Sequence, residues 1–411
     1  MTELKILDFA VILRNLVDLG KPEVSITEER VLPLIQDIIV QETEYGGVIK
    51  QVSQTVCSLS KKDIVRFEFP SMEILDLPRV HFLSDNEVIN AFHENPHYTL
   101  TTCAALHITG NLVANMHLRF TSKEGIPVSR AIENIRINLR TLAIKLPECF
   151  IKKLDFDKKT ADRFHFVHTD AETFLVGSLK DLTSEVLRPI LIRCLKDKLG
   201  LDEPRSLSCL ASTLTQIYQT NPICESVEKF VSPHHFGNAM FGIGTMDRSF
   251  EERPVTLIQE SFSHNLSNDE ELGVYTFGLS DLMIFNHEFD EIMKMTSKKK
   301  QFKDPYTSVL YNTTHYSCLL EWVYLEKCII ERYNQLLSQA ISDEKTTPER
   351  MLFLQKQSMH DLIVYKVGIT PYPSREEFLE KARVAHRIPE FQEKLEKKRD
   401  LATDYIIQEY T

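Results

Sequence analysis

Thr99-Leu-Thr-Thr-Cys-Ala-Ala-Leu-His-Ile-Thr-Gly-Asn-Leu-Val-Ala-Asn-Met-His-Leu-Arg-Phe120 reads as two strands folded about Thr109-Gly110-Asn111. Leu106 and Ile108 alternate inward on the first arm, as do Leu112, Ala114, Met116, Leu118 and Phe120 on the second. That period of two belongs to strands, and a Gly-Asn turn between such runs closes a hairpin. Ser129 to Leu146 follows, with Ile132, Ile135, Leu139, Leu142 and Leu146 spaced by three and four. This spacing predicts an amphipathic helix. Hairpin followed by helix points to an α+β fold, a mixed sheet-and-helix body.

Upstream, Leu4 to Leu19 has helical spacing through Leu13, Leu16 and Val17, with Gly20 placed as a C-cap. Thr27 opens a second helix to about Val40, Gly46-Gly47 breaks the chain, and Val65 to Phe69 alternates as a strand. After Pro147, strands are expected at Phe164 to Val167, Thr173 to Val176, Val255 to Ile258 and Val274 to Phe277, with a helical turn at Ser280. Helices are expected over Thr183 to Leu199, stopped by Gly200, and over Ser206 to Thr220, stopped by Asn221-Pro222. The expected division is 1–150 and 151–300 as two α+β subdomains and 301–411 as a helical stalk region. The basic run Lys298-Lys-Lys-Gln-Phe-Lys303 links body to stalk.

The chain has 411 residues, 43% of them apolar and 26% charged, an ordinary globular balance that argues against disorder. Its net charge of −11 argues against broad nucleic-acid binding. Eight cysteines without a C-x-x-C spacing fit free thiols in a reducing compartment better than a zinc ribbon. No run approaches the 18 or so apolar residues of a membrane span.

Three helices are expected after Thr313. In the first, Trp322, Ile329 and Leu336 repeat at seven beside Val323, Ile330 and Leu337, a stripe broad enough for two partners. Thr346 with Glu349, and Ser374 with Glu377, have capping-box spacing, and Gly368 with Pro371 separates the second helix from the third. From Val384 the apolar positions alternate four and three through Ile388, Phe391, Leu395, Lys398, Ala402 and Tyr405. That narrow seam predicts a coiled coil, hence a homo-oligomer joined through 384–405, although a three-helix bundle packed on itself also fits. Pro389 should kink this helix or mark its start. The terminal Asp404-Tyr-Ile-Ile-Gln-Glu-Tyr-Thr411 carries no stop signal, so the helix either frays or runs on into a further segment.

A Glu-rich helix, a capped turn and the long charged helix Pro389-Glu-Phe-Gln-Glu-Lys-Leu-Glu-Lys-Lys-Arg-Asp-Leu-Ala-Thr-Asp-Tyr-Ile-Ile-Gln-Glu-Tyr410 resemble the stalk of CorA-like membrane proteins. The likeness covers about a quarter of the chain, and the family's Gly-Met-Asn signature is absent from it. The long region before the stalk is similar to that of CRISPR-associated CorA-like effectors. The resemblance implies the cytoplasmic part of an oligomeric channel or membrane effector, joined to the membrane through a segment beyond residue 411. It further implies gating by a small ligand, a nucleotide messenger of antiviral defence rather than magnesium.

The stretch richest in candidate chemistry is Ser232-Pro-His-His-Phe-Gly-Asn-Ala-Met-Phe-Gly-Ile-Gly-Thr-Met-Asp-Arg248. Its glycines allow close backbone approach, so Gly242, Gly244, Arg248, His235 and Asn238 form a candidate ligand pocket. Backbone N–H groups and Arg248 would hold a phosphate while His235 or Asn238 reads a ribose or base edge. A glycine-rich strand-turn with surface histidines is the alternative. Neither a phosphate-binding loop ending in Gly-Lys-Ser/Thr nor a dinucleotide fingerprint is present.

Arg136 and Arg140, with Arg130 nearby, could clamp a phosphate from the 129–146 helix or simply line a solvated face. His234, His235, His264, His287, Asp247, Glu260 and Glu288 are metal-ligand types without motif spacing, and Cys103 with His117 makes only half a site. The metal content is therefore left unknown, and no cofactor is implied. A non-enzymatic ligand sensor is the first expectation. A hydrolase of nucleotides or phosphates, and a helical adaptor, are the alternatives.

Overall fold

The computed structural model describes residues 3–40, 64–77, 84–154, 165–169, 171–201, 211–267, 270–278, 280–288, 291, 305–343, 345–366 and 373–410. The Gly46-Gly47 break, the Lys298–Lys303 linker and the Gly368 and Pro371 stop lie outside these residues. A mixed sheet of eleven strands forms the middle layer. In chain order these are β1 Lys5–Asp18, β2 Ile64–Glu68, β3 Met72–Asp76, β4 Tyr98–His107, β5 Asn111–Pro127 and β6 Leu142–Lys145. They continue with β7 His165–His168, β8 Thr173–Gly177, β9 Ser212–Asn221, β10 Leu272–Thr276 and β11 Ser280–Phe285. Across the sheet the order is β10-β11-β9-β1-β5-β4-β3-β6-β8-β7, with β2 also on β4. Among the described residues only β9 and β11 pair in parallel. The sheet runs through both expected α+β segments without a break, since β9 lies directly against β1.

The hairpin forms as its alternation predicts, Leu106 opposite Leu112 across the Gly110 turn. The Leu4 to Leu19 helix does not form, because this stretch is β1, the strand between β5 and β9. Phe9, Val11 and Leu13 enter the core on one face and Ala10 and Ile12 the core on the other. A strand covered on both faces shows an unbroken apolar run and hides its period of two. The 206–220 helix is replaced in its described part by β9 for the same reason, helped by the β-branched Thr213, Thr215 and Ile217.

The helices before the stalk are α1 Glu28–Ile35, α2 Asp85–Glu94, α3 Val128–Ile135, α4 Glu148–Lys153 and α5 Arg188–Leu199. They are followed by α6 Val227–Phe230, α7 Gly237–Thr245 and α8 Val255–Phe262. The expected 129–146 helix is cut short. After α3 and one 3-10 turn the chain becomes β6, filling the gap between β3 and β8 and satisfying the backbone of both. Val255 to Ile258 is the start of a helix rather than a strand, and only Ile258 of α8 is buried. Ser280 begins β11 instead of a helical turn, after a tight reversal at Gly278 with φ +89°. The helix expected to stop at Gly200 does so, with that glycine in the left-handed region.

The C-terminal layer comprises α9 Pro305–Ser342, α10 Pro348–Lys366, α11 Pro373–Ala385 and α12 Ile388–Tyr410. Among the described residues no helix is long and apolar enough to cross a membrane. The chain therefore has helices on both faces of its sheet, with the second core between sheet and C-terminal layer. Arg387, at φ +60°, separates α11 from α12, and Pro389 sits in the first turn of α12. The expected coiled-coil seam is spent inside the chain. Ile388, Leu395 and Ala402 are buried in the second core, while Val384 is 67% exposed. Lys398 donates to the Asn334 carbonyl (2.8 Å) on α9, and Gln355 on α10 donates to the Arg399 carbonyl (2.6 Å). The buried part of the seam thus packs on α9 and α10 of the same molecule.

Charged side chains cross the second core in pairs. Arg66 of β2 makes two bonds to Glu321 of α9 (2.8 and 3.2 Å), and Asn115 of β5 adds a third (2.7 Å). Arg332 of α9 bonds Asp18 (2.8 Å) and Asn111 (3.2 Å). Arg14 of β1 bonds Asp281 of β11 (3.1 Å), whose other oxygen lies 3.0 Å from His386, between α11 and α12. Burial works to raise the carboxyl of Glu321, but Arg66, His107 and Asn115 outweigh it and hold it below the usual range. Asp281 is likewise held down against its burial by His386 and Arg14. Burial drives the imidazoles of His107 and His117 down to about 3.

Leu395→Ala should therefore lower the unfolding free energy by about 2–5 kcal/mol, the cost of a core truncation, and leave the mass in solution unchanged. Chemical denaturation beside light scattering checks this; a reduced mass with unchanged stability would return the seam to an intermolecular role. Acid should also weaken the fold early. Between the ordinary imidazole pKa and about 3, the unfolded chain binds protons that folded His107 and His117 refuse, so stability falls as pH falls. The loss expected from pH 6.5 to 5 is about 2 kcal/mol per buried imidazole. The depressed carboxylates add to it at lower pH, when they are protonated. A denaturation midpoint that stays level from pH 7 to 5 would contradict this account.

Candidate functional site

The glycine-rich stretch is built as a helix rather than a loop. Gly237 to Thr245 form α7, so the N–H groups of Gly242 and Gly244 point along the helix to carbonyls one turn back. They are not turned outward as an anion nest. The glycines serve close packing instead. A Cβ on Gly242 would stand 2.6 Å from the Phe250 side chain, and one on Gly244 would stand 2.2 Å from the Phe277 ring. Phe277 stacks edge-on with Phe241 and Phe262, which fixes its ring against the helix.

His235 is exposed just before α7, Asn238 is partly buried in its first turn, and Arg248 lies beyond its end. Nine helical residues separate these ends by about 13 Å. His235 and Arg248 thus flank opposite ends of the helix. At the far end Met246 adopts φ +57° and the Asp247 N–H returns to the Gly242 carbonyl (2.9 Å). This is a left-handed cap of the kind glycine usually supplies, held here by a bulky residue. The cap directs the Met246 carbonyl toward Arg136, whose guanidinium donates to it (3.4 Å).

Arg248 consequently meets the second sequence candidate, the arginines after the hairpin. Glu133 of α3 receives Arg130 at 3.0 Å, Arg248 at 3.5 Å and Arg140 at 4.0 Å. Arg140 also pairs with Asp76 at the end of β3, and Arg253 pairs with Asp247 (2.6 Å). The Arg253 bond, then the Ser249 N–H, hold the Asp247 carboxyl below its ordinary range. Arg136 and Arg140 do not share a helix face, because the helix has ended by Arg136. They converge through the fold instead. The ion pairs of this face bring four guanidiniums to three carboxylates, on a protein whose total charge is negative. Such a face can hold an anion with several oriented donors.

The remaining candidates stay apart. Among the described residues no three His, Cys, Asp or Glu side chains gather as a metal-binding group. Two open grooves that share Ser226 and Glu270, of 670 and 740 Å³, were not visible in the sequence. Glu225, Glu228, Glu270, Glu271 and Glu288 line them, a setting that repels phosphate.

Gly244→Ala should cost about 1–3 kcal/mol by forcing the Phe277 ring aside. Arg248→Ala, at an exposed site, should stay within about 0.5 kcal/mol of the parent. Thermal melts of the two variants test this division between packing and surface; the opposite ranking would overturn it. No protein-family model matches the chain, and no curated protein or solved structure matches it.

Proposed function

We propose that the chain is a ligand-sensing regulatory module whose C-terminal helices carry the response, the role its resemblance to CorA-like cytoplasmic regions implies. A small anionic ligand, a nucleotide messenger in the defence setting, would bind the sheet body. The helices would then shift between two packings and act on an oligomeric membrane effector. The single observation that supports this most is Asp281. It is fully buried on the sheet and held at once by Arg14 of the central strand and by His386 at the joint between α11 and α12. A displacement of β1 or β11 is thereby transmitted to that joint, where Arg387 already holds a left-handed backbone. Thr276 of β10, 3.2 Å from the same imidazole, adds a further tie to the sheet.

Hydrogen exchange tests the relay. The probes are inorganic phosphate and mono-, di- and cyclic nucleotides, and the readout is amide exchange over residues 380–390. A binder should alter exchange there in the parent protein. In His386→Ala the same binder should bind but leave 380–390 unchanged. Turnover of a nucleotide, or binding with no change at this joint in the parent, would sink the reading.

A further inference from the structure

We propose that the arginine face around Glu133 is a binding site for a phosphate monoester dianion, and that Glu133 is its built-in competitor. Arg130 is three residues from Glu133 on the same helix and reaches its carboxylate at ordinary hydrogen-bond distance, 3.0 Å. Arg140 and Arg248 come from beyond the helix and from the segment after α7. They face the same carboxylate at 4.0 and 3.5 Å, too far for well-made hydrogen bonds. The guanidiniums thus surround a space wider than the two oxygens of a carboxylate fill. A tetrahedral phosphate has three terminal oxygens and nearly two charges, and guanidinium forks bind it with two bonds each.

The surroundings support the assignment. Arg140 is fixed from behind by Asp76, so it is oriented before any ligand arrives. Asp247 is occupied by Arg253 and by the Ser249 N–H. Glu133 is the movable part: its side chain is one-third exposed (34%), on a helix surface from which it can swing into water. Arg130 and Arg248 are each 57% exposed, so the space is open to solvent. A phosphate entering here displaces the Glu133 carboxylate and takes over its three guanidiniums. No covalent step is involved.

This inference rests on the reading of the chain as a ligand sensor and names the chemistry of the ligand. Two substitutions should act in opposite directions, which a purely structural ion-pair network would not produce. Removing the competitor in Glu133→Gln should tighten phosphate binding about tenfold. Removing a donor in Arg248→Ala should weaken it at least tenfold, about the loss of one charge-assisted bond. Calorimetry on the full chain would use inorganic phosphate, adenosine monophosphate and a cyclic mononucleotide, whose diester carries a single charge. Phosphate and the monophosphate should bind with the same ranking of variants, and the cyclic diester more weakly. Tighter binding of the monophosphate than of inorganic phosphate would identify a nucleotide as the source of the group. Melting curves confirm that each variant is folded.

Equal binding by parent, Glu133→Gln and Arg248→Ala would overturn the site, as would preference for the cyclic diester. The relay fails separately: phosphate that binds with this ranking yet leaves exchange at 380–390 unchanged keeps the site and removes the relay.

Discussion

The structure depends on keeping every charge between the sheet and α9 paired. Arg14, Asp18, Arg66 and Asp281 all project from the sheet into a layer from which water is excluded. An isolated ion there costs several kcal/mol, so an apolar helix could not cover this face. The covering helices bring Glu321, Arg332 and His386 to meet them, and two amides, Asn111 and Asn115, add further contacts. Two consequences follow for how the molecule behaves. The helical layer cannot drift on the sheet, because any shift strands ions. It can change position only between arrangements that pair them again, which is the property a two-state element needs.

The fold was readable where one face of an element meets solvent or where a turn residue stands alone. The hairpin about Gly110, the stop at Gly200 and the bundle helices all carry such marks. It was unreadable where both faces are covered. β1 and β9 sit in the middle of the sheet, and their unbroken apolar or Thr-rich runs imitate helical spacing. Leu142 shows a different failure. Its spacing from Ile135 suits a helix, but the open ladder between β3 and β8 outweighs that local preference, and the chain becomes a strand. The 384–405 seam has the period the sequence shows, and its buried part packs on α9 and α10, a neighbour the sequence does not name, since a sequence gives the stripe on a helix and not what covers it.

The candidate site followed the same logic. Glycines at 237, 242 and 244 suggested a backbone open to ligand, but glycine also marks where an aromatic ring must approach a helix, and Phe250 and Phe277 lie far enough along the chain to hide that need. Arg248 stands near His235 and Asn238 in the sequence, but its ion-pair partner comes from another part of the chain. Its neighbour is Glu133, more than a hundred residues earlier, brought there because α7 packs beside α3. The arginines at 130, 136 and 140 were visible as a basic run. That Arg130 and Arg140 share one carboxylate, Glu133, while Arg136 meets the Met246 carbonyl, depends on the helix ending at Ile135, a fact set by strand pairing elsewhere.

Buried ion pairs often add little to stability compared with apolar side chains of the same volume, so their presence here calls for a reason other than strength. Geometry supplies one. Glu321 and Arg332 stand eleven residues apart on one face of α9, which at 1.5 Å per residue spans about 16 Å. Their donor and acceptor partners on β5, Asn115 and Asn111, stand four residues apart, about 14 Å along a strand. The two spans match, and opposite charges sit at the two ends: a cation on the sheet meets Glu321, and an anion on the sheet meets Arg332. Sliding α9 by one turn, about 5.4 Å, would break both contacts together, and reversing it would set like charges against each other. An all-apolar interface between a 38-residue helix and a broad sheet would have many near-equivalent positions. The ion pairs select one of them, and with it the placement of α11 and α12 that His386 then fixes on Asp281.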